Sequence, residues 1–237
     1  MSKPAEPNVT GPVTHFVVMA TGQIEAGRFE GSESLYCRYA FTHGEDWTIM
    51  RGVEEGITQM STASRTANAD LAVWNFPVDV TFRSTCVHGW PQIVLAIYGS
   101  DHMRHSDVIL GYGAVHLPIA PGRHELYVRT FRPLASSLLG RFQSWCARGP
   151  SPHPRHRGRV GPRLSCAPPR HRMQGMRPEF IDSMFPSKGE GRDVTRVQSF
   201  GTVKVVVDVT LQGMEQMGYS VPPTPSTPLR LAGWAGP

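Results

Sequence analysis

The sequence predicts an all-β protein, an antiparallel β-sandwich of about eight strands with one short helix and a disordered insertion. Short apolar or alternating runs recur along the chain, and 24 glycines and 21 prolines among 237 residues supply the turns between them. No alternation of strand and helix patterns appears, which argues against a nucleotide-binding α/β fold. We therefore expect one domain over residues 13–215, between a disordered segment 1–12 and a disordered Pro-rich tail 216–237.

The first half of the predicted domain contains three strand patterns. Residues 16–19 are an apolar run, and residues 35–41 alternate between two faces. One face of that alternation consists of Leu35, Cys37, Tyr39 and Phe41. Residues 71–82 are rich in Val, Trp, Phe and Thr but contain Pro77. Because proline cannot donate to a ladder, it predicts an edge position or a bulge at that point.

Three further strand patterns open the second half. Residues 93–98 are nearly all apolar, which is typical of a strand covered on both faces. Residues 108–117 contain Gly111 and Gly113, which mark a bend. Residues 125–131 alternate again, which predicts a half-buried strand.

The last strand, residues 194–211, ends the predicted domain. Gly201 is expected to mark a turn or bulge before its regular part. One face of that part carries Val203, Val205, Val207 and Val209. We expect Val205 and Val207 to point into the core, because a continuous valine face is most stable when it is buried.

A single helix is predicted over residues 134–145. Apolar side chains recur there at helical spacing. They are Leu134, Leu138, Phe142 and Trp145.

Residues 146–176 have the composition of a disordered basic insertion. They contain seven arginines and no acidic residue, so removing their charge from the net +5 leaves −2 for the rest of the chain. Such a segment buries too little apolar area to offset its ordering entropy. Since the positive charge belongs to this one segment, we expect no nucleic-acid partner for the domain.

The chain reads as a cytosolic protein. Its longest apolar stretches are strand-sized and fall short of the roughly 18 residues of a membrane-spanning helix, so no transmembrane segment is expected. The first residues lack the apolar core of a signal sequence. The four cysteines contain no Cys-x-x-Cys pair, which argues against a zinc site.

No motif predicts catalysis or cofactor binding. Gly111-Tyr112-Gly113 lacks the third glycine and the following helix of a dinucleotide fingerprint. Neither a phosphate-binding Gly-x-x-x-x-Gly-Lys loop nor a Gly-x-Ser-x-Gly elbow occurs. Glu54 and Glu55 are adjacent and so point apart, which favours a solvated turn over paired carboxylates.

Two groups of residues resemble metal-ligand patterns only weakly. His102, His105 and His116 have no spaced carboxylate or thiol partner, so structural or solvated roles are favoured. Asp101 and Asp107 flank one loop, but a calcium ion needs six to eight oxygen ligands. The sequence therefore predicts no metal site.

Trp90, in Gly89-Trp90-Pro91, is the one candidate partner anchor. It lies where a loop meets a strand, so its ring could be half exposed and fill a pocket on another protein. The alternative is that the ring packs in the core, as we expect for the other aromatic residues. Both interpretations stay open at this point.

A set of stretches carries a resemblance to a known family. In order along most of residues 15–218, they are Gly22-Gln23-Ile24-Glu25, Leu35-Tyr36-Cys37-Arg38-Tyr39, Gly44-Glu45-Asp46-Trp47, Glu54-Glu55-Gly56-Ile57, Val73-Trp74-Asn75-Phe76-Pro77-Val78-Asp79-Val80-Thr81-Phe82, Gly89-Trp90-Pro91-Gln92-Ile93-Val94-Leu95, Gly111-Tyr112-Gly113-Ala114-Val115-His116, Pro121-Gly122-Arg123-His124, Arg177-Pro178-Glu179 and Gly189-Glu190-Gly191-Arg192-Asp193-Val194-Thr195-Arg196-Val197. Each stretch alone is weak evidence. Together the set resembles the B9 domain family.

The resemblance implies a C2-like sandwich without enzymatic activity, catalytic residues or cofactors. It implies a scaffold subunit of the tectonic-like, or Meckel-syndrome, complex at the ciliary transition zone and basal body. That complex forms a diffusion barrier for membrane proteins and supports ciliogenesis and Hedgehog signalling. The implied partners are other B9 domain proteins and further subunits of the complex. The alternative is a peripheral membrane-binding module that contacts lipid headgroups with or without calcium. In its weakest form, the chain would make only a slight contact with the membrane surface.

The chain departs from the family's pattern at residues 146–176. In the family, only a few positions separate the residues that match Trp145 and Arg177-Pro178-Glu179. Here 31 residues intervene, and their Arg, Pro, Gly, Ala and Cys bias is what GC-rich noncoding sequence gives when translated. A retained intron or gene-model error is one hypothesis, and a genuine lineage-specific loop is the other.

Overall fold

The computed structural model describes residues 14–32, 34–66, 69–101, 106–134, 180, 184–188 and 196–223. These residues form eleven antiparallel strands and two short 3-10 turns. The strands are β1 (Phe16–Arg28), β2 (Ser34–Thr42), β3 (Trp47–Gly52), β4 (Glu55–Ile57), β5 (Ser61–Thr62), β6 (Ser64–Thr66), β7 (Ala69–Ser84), β8 (Gln92–Asp101), β9 (Ser106–His116), β10 (Gly122–Pro133) and β11 (Val197–Gln212). The 3-10 turns are Phe185–Ser187 and Glu215–Met217.

The strands form two layers of one curled antiparallel sheet. Sheet I has the order β3-β7-β1-β11-β10, and sheet II has the order β9-β8-β2-β4. A single bridge, Phe131 opposite Tyr112, joins β10 to β9, so the sheet bends there from one layer into the other. Eight of the described strands have six or more residues. The predicted all-β sandwich is confirmed.

The core lies between the two layers. It includes the predicted alternating face of β2, namely Leu35, Cys37, Tyr39 and Phe41, none more than 4% exposed. It also includes the predicted valine face of β11, namely Val203, Val205, Val207 and Val209, none more than 6% exposed. The prediction that Val205 and Val207 point inward is therefore confirmed.

Pro77 lies in the long strand β7, where it is opposite Gln23 of β1. The ladder between β1 and β7 is irregular just before it, because Ile24 pairs with Phe76 whereas Ala26 pairs with Val73. Asn75 lies in this irregularity and has the positive φ of 46°. The predicted bulge is thus present two residues before the proline, and β7 continues through it as one strand.

A second bulge lies at Gly201 of β11. Arg129 pairs with Thr202 but Phe131 pairs with Ser199, so β11 contains one extra residue at this point. Gly201 adopts a φ of +77°, which L side chains rarely do. A Cβ there would approach Cε1 of the Phe29 ring to 2.2 Å. The backbone angle and the close approach both explain why position 201 requires glycine. The bulge predicted there is confirmed.

β8 is covered on both faces, as its apolar run predicts. Ile93, Leu95 and Ile97 point into the core, whereas Ala96 faces outward into a smaller cluster. This outer aromatic cluster consists of Ala96, Ile109, Tyr112, Tyr98, Phe131 and Phe180. The Phe180 ring lies 5.0 Å from that of Tyr112 and 4.4 Å from that of Phe185. The outer face of sheet II is therefore covered by a later segment of the same chain.

The ordered fold continues past the predicted domain end at residue 215. Met214 is buried, and Met217, Tyr219 and Val221 pack against the core. The Tyr219 ring meets that of Phe16 edge-on at 5.7 Å. The start of the predicted tail is therefore part of the packed domain in the described residues.

Several predicted segments lie outside the described residues. They are the N-terminal segment 1–12, the helix 134–145 after Leu134, the basic insertion 146–176 and the end of the tail from residue 224.

Candidate interaction surface

The described part of the chain contains no group of three or more His, Cys, Asp or Glu side chains that could hold a metal. Asp107 is exposed and accepts a hydrogen bond from the Tyr36 hydroxyl at 3.0 Å. His116 is exposed at the end of β9. His102 and His105 lie outside the described residues, as does the side chain of Asp101.

Cys37 lies in the core with no exposed surface. Burial raises the pKa of its thiol well above the usual range. A nucleophilic cysteine requires the opposite, a lowered pKa at an accessible position. Cys37 therefore contributes to packing as a small apolar residue.

Residues 47–66 close the open side of the sandwich, and we call them the edge segment. β3 pairs with the end of β7 in sheet I, β4 and β5 pair with β2 in sheet II, and β6 returns to β7. The segment thus passes from one layer to the other and back.

Backbone bonds fix the first crossing of the edge segment. The Val53 N–H donates to the Asp79 carbonyl of sheet I at 3.4 Å. One residue later, the Glu54 carbonyl accepts from the Phe41 N–H of sheet II at 2.9 Å. Two consecutive residues therefore join the two layers.

The return crossing is held by side chains. The Cys37 N–H donates to the Thr58 hydroxyl at 2.9 Å, which replaces a backbone partner where β4 ends. The Gln59 amide then donates to the Trp74 carbonyl of β7 at 2.6 Å. The Gln59 side chain thus connects the return crossing to β7.

The edge segment exposes four large apolar side chains. They are Met50, Val53, Ile57 and Met60, each 55–60% exposed. Val73 is 46% exposed but lies at the other end of β7 from the residues that pair with β3, so it is not part of this group. Large exposed apolar side chains of this kind often mark interaction sites in proteins.

An ion pair holds β4 to β2. Nη2 of Arg38 lies 2.8 Å from a carboxylate oxygen of Glu55. The hydrogen bond to Glu55 and its negative charge raise the pKa of Arg38. Both side chains are about half exposed, so the pair contributes at most about 1 kcal/mol.

Trp90 lies at the end of the sandwich where β2 turns into β3. Its ring meets that of Trp47 edge-on at 5.1 Å, and its Nε1 donates to the Leu117 carbonyl at 2.9 Å. Trp90 is partly buried and packs against the core. Its ring therefore has a structural role, and the part that stays accessible is what a partner could contact.

Two of the sequence stretches that carried the resemblance meet at this end. The Gly44 N–H donates to the Gly89 carbonyl at 2.9 Å, and the Trp47 Nε1 donates to the His88 carbonyl at 2.7 Å. A Cβ on Gly89 would lie 2.5 Å from the Gly44 Cα, so only glycine permits this approach. The motif Gly44-Glu45-Asp46-Trp47 thus forms one unit with Gly89-Trp90-Pro91.

The sequence alone does not indicate that the edge segment is a surface. It predicts a solvated turn at Glu54 and Glu55; both are exposed, and Glu55 begins β4. The available signal was the apolar run after Asp46, since Trp47, Ile49 and Met50 have the composition of a strand. Nothing in the sequence indicated that Met50 and Ile57 would be exposed, because that depends on which strands lie beside them.

No helix in the described ranges is long and apolar enough to span a membrane.

Comparisons with known proteins show which sequences the chain resembles. A sequence model of a family described as "Ciliary basal body-associated, B9 protein" matches residues 18–156. B9 domain-containing protein 1 of Mus musculus is 41% identical over 208 residues, which cover 88% of each chain. The Homo sapiens protein of the same name is 40% identical over 209 residues, again 88% of each chain. B9 domain-containing protein 2 of Rattus norvegicus is 34% identical over 119 residues, 50% of this chain and 66% of that protein.

Proposed function

The chain belongs to the B9 domain family, and on that basis we propose that it is a non-enzymatic scaffold subunit of the tectonic-like complex at the ciliary transition zone. The observation that carries the proposal is the match of about 40% identity along 88% of the chain to B9 domain-containing protein 1. The family description, "ciliary basal body-associated", supports a location in the cytoplasm at the basal body.

The proposed role is to bind other subunits. We expect other B9 domain proteins and further subunits of the tectonic-like complex as partners, and no nucleic acid. Through that complex the chain would support ciliogenesis, the diffusion barrier between cilium and plasma membrane, and Hedgehog signalling. The exposed apolar edge segment supports a binding role, because such side chains are usually covered by a partner.

Native co-purification from ciliated cells tests this function. The full chain with an affinity tag should recover other B9 domain proteins and subunits of the tectonic-like complex, and the tag alone should not. Recovery of the chain without any of these proteins would contradict the proposal.

Liposome co-sedimentation tests the membrane-binding alternative. The full chain should remain in the supernatant, or sediment weakly, with phosphatidylserine vesicles in either calcium or EDTA. Strong sedimentation that requires calcium would favour a lipid-binding module instead, since a calcium-dependent module needs the ion to bridge protein and headgroup.

A further inference from the structure

We infer that the edge segment is the docking site for another β-sandwich subunit, which adds an extended strand to the free edge of β3. This inference rests on the proposed scaffold function and specifies the surface that performs it. Four observations support it: the open ladder of β3, the apolar side chains beside it, the absence of lysine and proline from the segment, and its charge balance.

The backbone of β3 requires an extended partner. β3 is the last strand of sheet I among the described residues, so one side of it pairs with β7 and the other side has no strand. The unpaired N–H and C=O groups along such an edge are satisfied in register only by another extended chain.

The side chains along this edge suit an apolar partner. The ladder between β3 and β7 is irregular between Ile49 and Arg51, and the residue at that irregularity is Met50. Bulges re-aim side chains, and Met50 is 55% exposed. Methionine is unbranched and polarisable, so it adapts to a partner surface. Val53, which follows β3, is 60% exposed and extends the same apolar edge.

Some of the devices that commonly protect an edge are absent here. Edges are blunted by lysine, proline, bulges, short strands or a covering segment. β3 is short and has the bulge at Met50, but the edge segment contains no lysine and no proline. By contrast, the aromatic outer face of sheet II is covered by the chain's own Phe180 and Phe185. The molecule thus covers one apolar surface itself and leaves the other open in the part that the structure describes.

The charge of the segment favours a protein strand over a lipid surface. Residues 47–66 contain two arginines and two glutamates, so their formal charge is zero. Binding to an anionic membrane surface depends on clustered lysines and arginines. A neutral, apolar edge offers little to such a surface and matches the apolar alternation of another sandwich strand.

The test uses Met50→Asp in the full chain, with Met19→Asp as the matched control. Met19 is also a half-exposed methionine, but it lies on the outer face of β1 in sheet I. The wild-type chain and each variant are co-expressed with other B9 domain proteins, and affinity is measured on the purified pairs. We expect about tenfold or greater weakening for Met50→Asp, as for a residue central to an interface, and no change for Met19→Asp.

Hydrogen exchange gives a second readout of the same complex. Amides of residues 47–52 should exchange more slowly when the partner is bound, and those of β1 should not change. If Met50→Asp lowers the melting temperature, Thr48→Lys replaces it, because Thr48 is exposed on the same strand and a lysine blocks strand addition.

The outcomes separate the two proposals. A wild-type chain that binds no B9 domain protein would overturn the scaffold function. Only the docking site would be overturned if the wild-type chain binds a B9 domain protein, Met50→Asp and Thr48→Lys bind it equally well, and hydrogen exchange at residues 47–52 does not change on binding.

Discussion

Trp90 illustrates how one side chain can join separate parts of a sandwich. Its ring packs on Trp47, and its Nε1 donates to Leu117, which precedes β10. Trp47 in turn meets Phe16 and Phe82 edge-on, so the two tryptophans belong to one aromatic group at this end. Edge-to-face pairs of this kind contribute roughly 0.5–1.5 kcal/mol beyond their buried area.

Replacing Trp90 separates packing from partner binding. Trp90→Ala should cost roughly 3–5 kcal/mol of folding free energy, because it removes the ring against Trp47. Trp90→Phe retains an aromatic ring and loses the hydrogen bond to Leu117, so it should cost about 1 kcal/mol. Thermal melting and pull-down of B9 domain proteins are measured for both. A stable Trp90→Phe chain that no longer recovers its partners would identify Trp90 as an anchor; full recovery would leave it a packing residue.

Val207→Asp tests the register of β11. Val207 is 6% exposed between the sheets, so aspartate there would bury an unpaired charge at a cost of several kcal/mol. That is a large part of the 5–15 kcal/mol by which domains are stable. The control is Thr210→Asp on the exposed face of the same strand, which should melt like wild type. A Val207→Asp chain with wild-type melting would contradict the observed register.

Sequence periodicity predicts the strands whose two faces differ clearly in burial. β2 and β11 alternate between core and outer face, and the inward residues can be read from that alternation. β8 was also predictable, because only a strand between two covering layers is apolar throughout. In each case the signal is local to the strand.

The short strands of the edge segment could not be predicted in the same way. β4, β5 and β6 have two or three residues, which is too short for a periodic pattern. Their positions depend on groups distant in sequence, since the Thr58 hydroxyl accepts a hydrogen bond from the Cys37 N–H and the Gln59 amide donates one to the Trp74 carbonyl. The cover on the outer face of sheet II was missed for a similar reason, because Phe180 lies 68 residues beyond Tyr112, whose hydroxyl accepts its N–H.

Gly201→Val tests the bulge that shapes β11. Valine disfavours a φ of +77°, and its Cβ would also meet the Phe29 ring and the Arg28 carbonyl. Strain at such a position costs about 1–3 kcal/mol, and the contacts add to it. Thr202→Val, at the next and partly exposed position, serves as the control for a β-branched residue nearby. Chemical denaturation should show a lower free energy of unfolding for Gly201→Val and a wild-type value for Thr202→Val. Equal stability of the two variants would contradict the strained bulge.

The sandwich is closed by long-range pairing between β10 and β11. The connection between these strands, residues 134–196, leaves and re-enters the sheet at neighbouring points. Pro133 is opposite Val197, and the Leu134 N–H donates to the Arg196 carbonyl at 2.8 Å. Because the paired strands hold the two ends of the connection close together, a much shorter connection could also join them.

Deleting residues 146–176 should therefore leave the melting temperature unchanged or raise it. Closing a shorter connection costs slightly less entropy, because the penalty grows only with the logarithm of length. The deletion removes seven arginines and changes the formal charge from +5 to −2, so the variant should be retained less by a cation exchanger than the full chain. Residues 177–195, which include Phe180 and Phe185, are kept so that the outer face of sheet II stays covered. Melting of the deletion variant is compared with that of the full chain. A variant that fails to fold, or melts well below it, would show that the sandwich depends on the inserted residues.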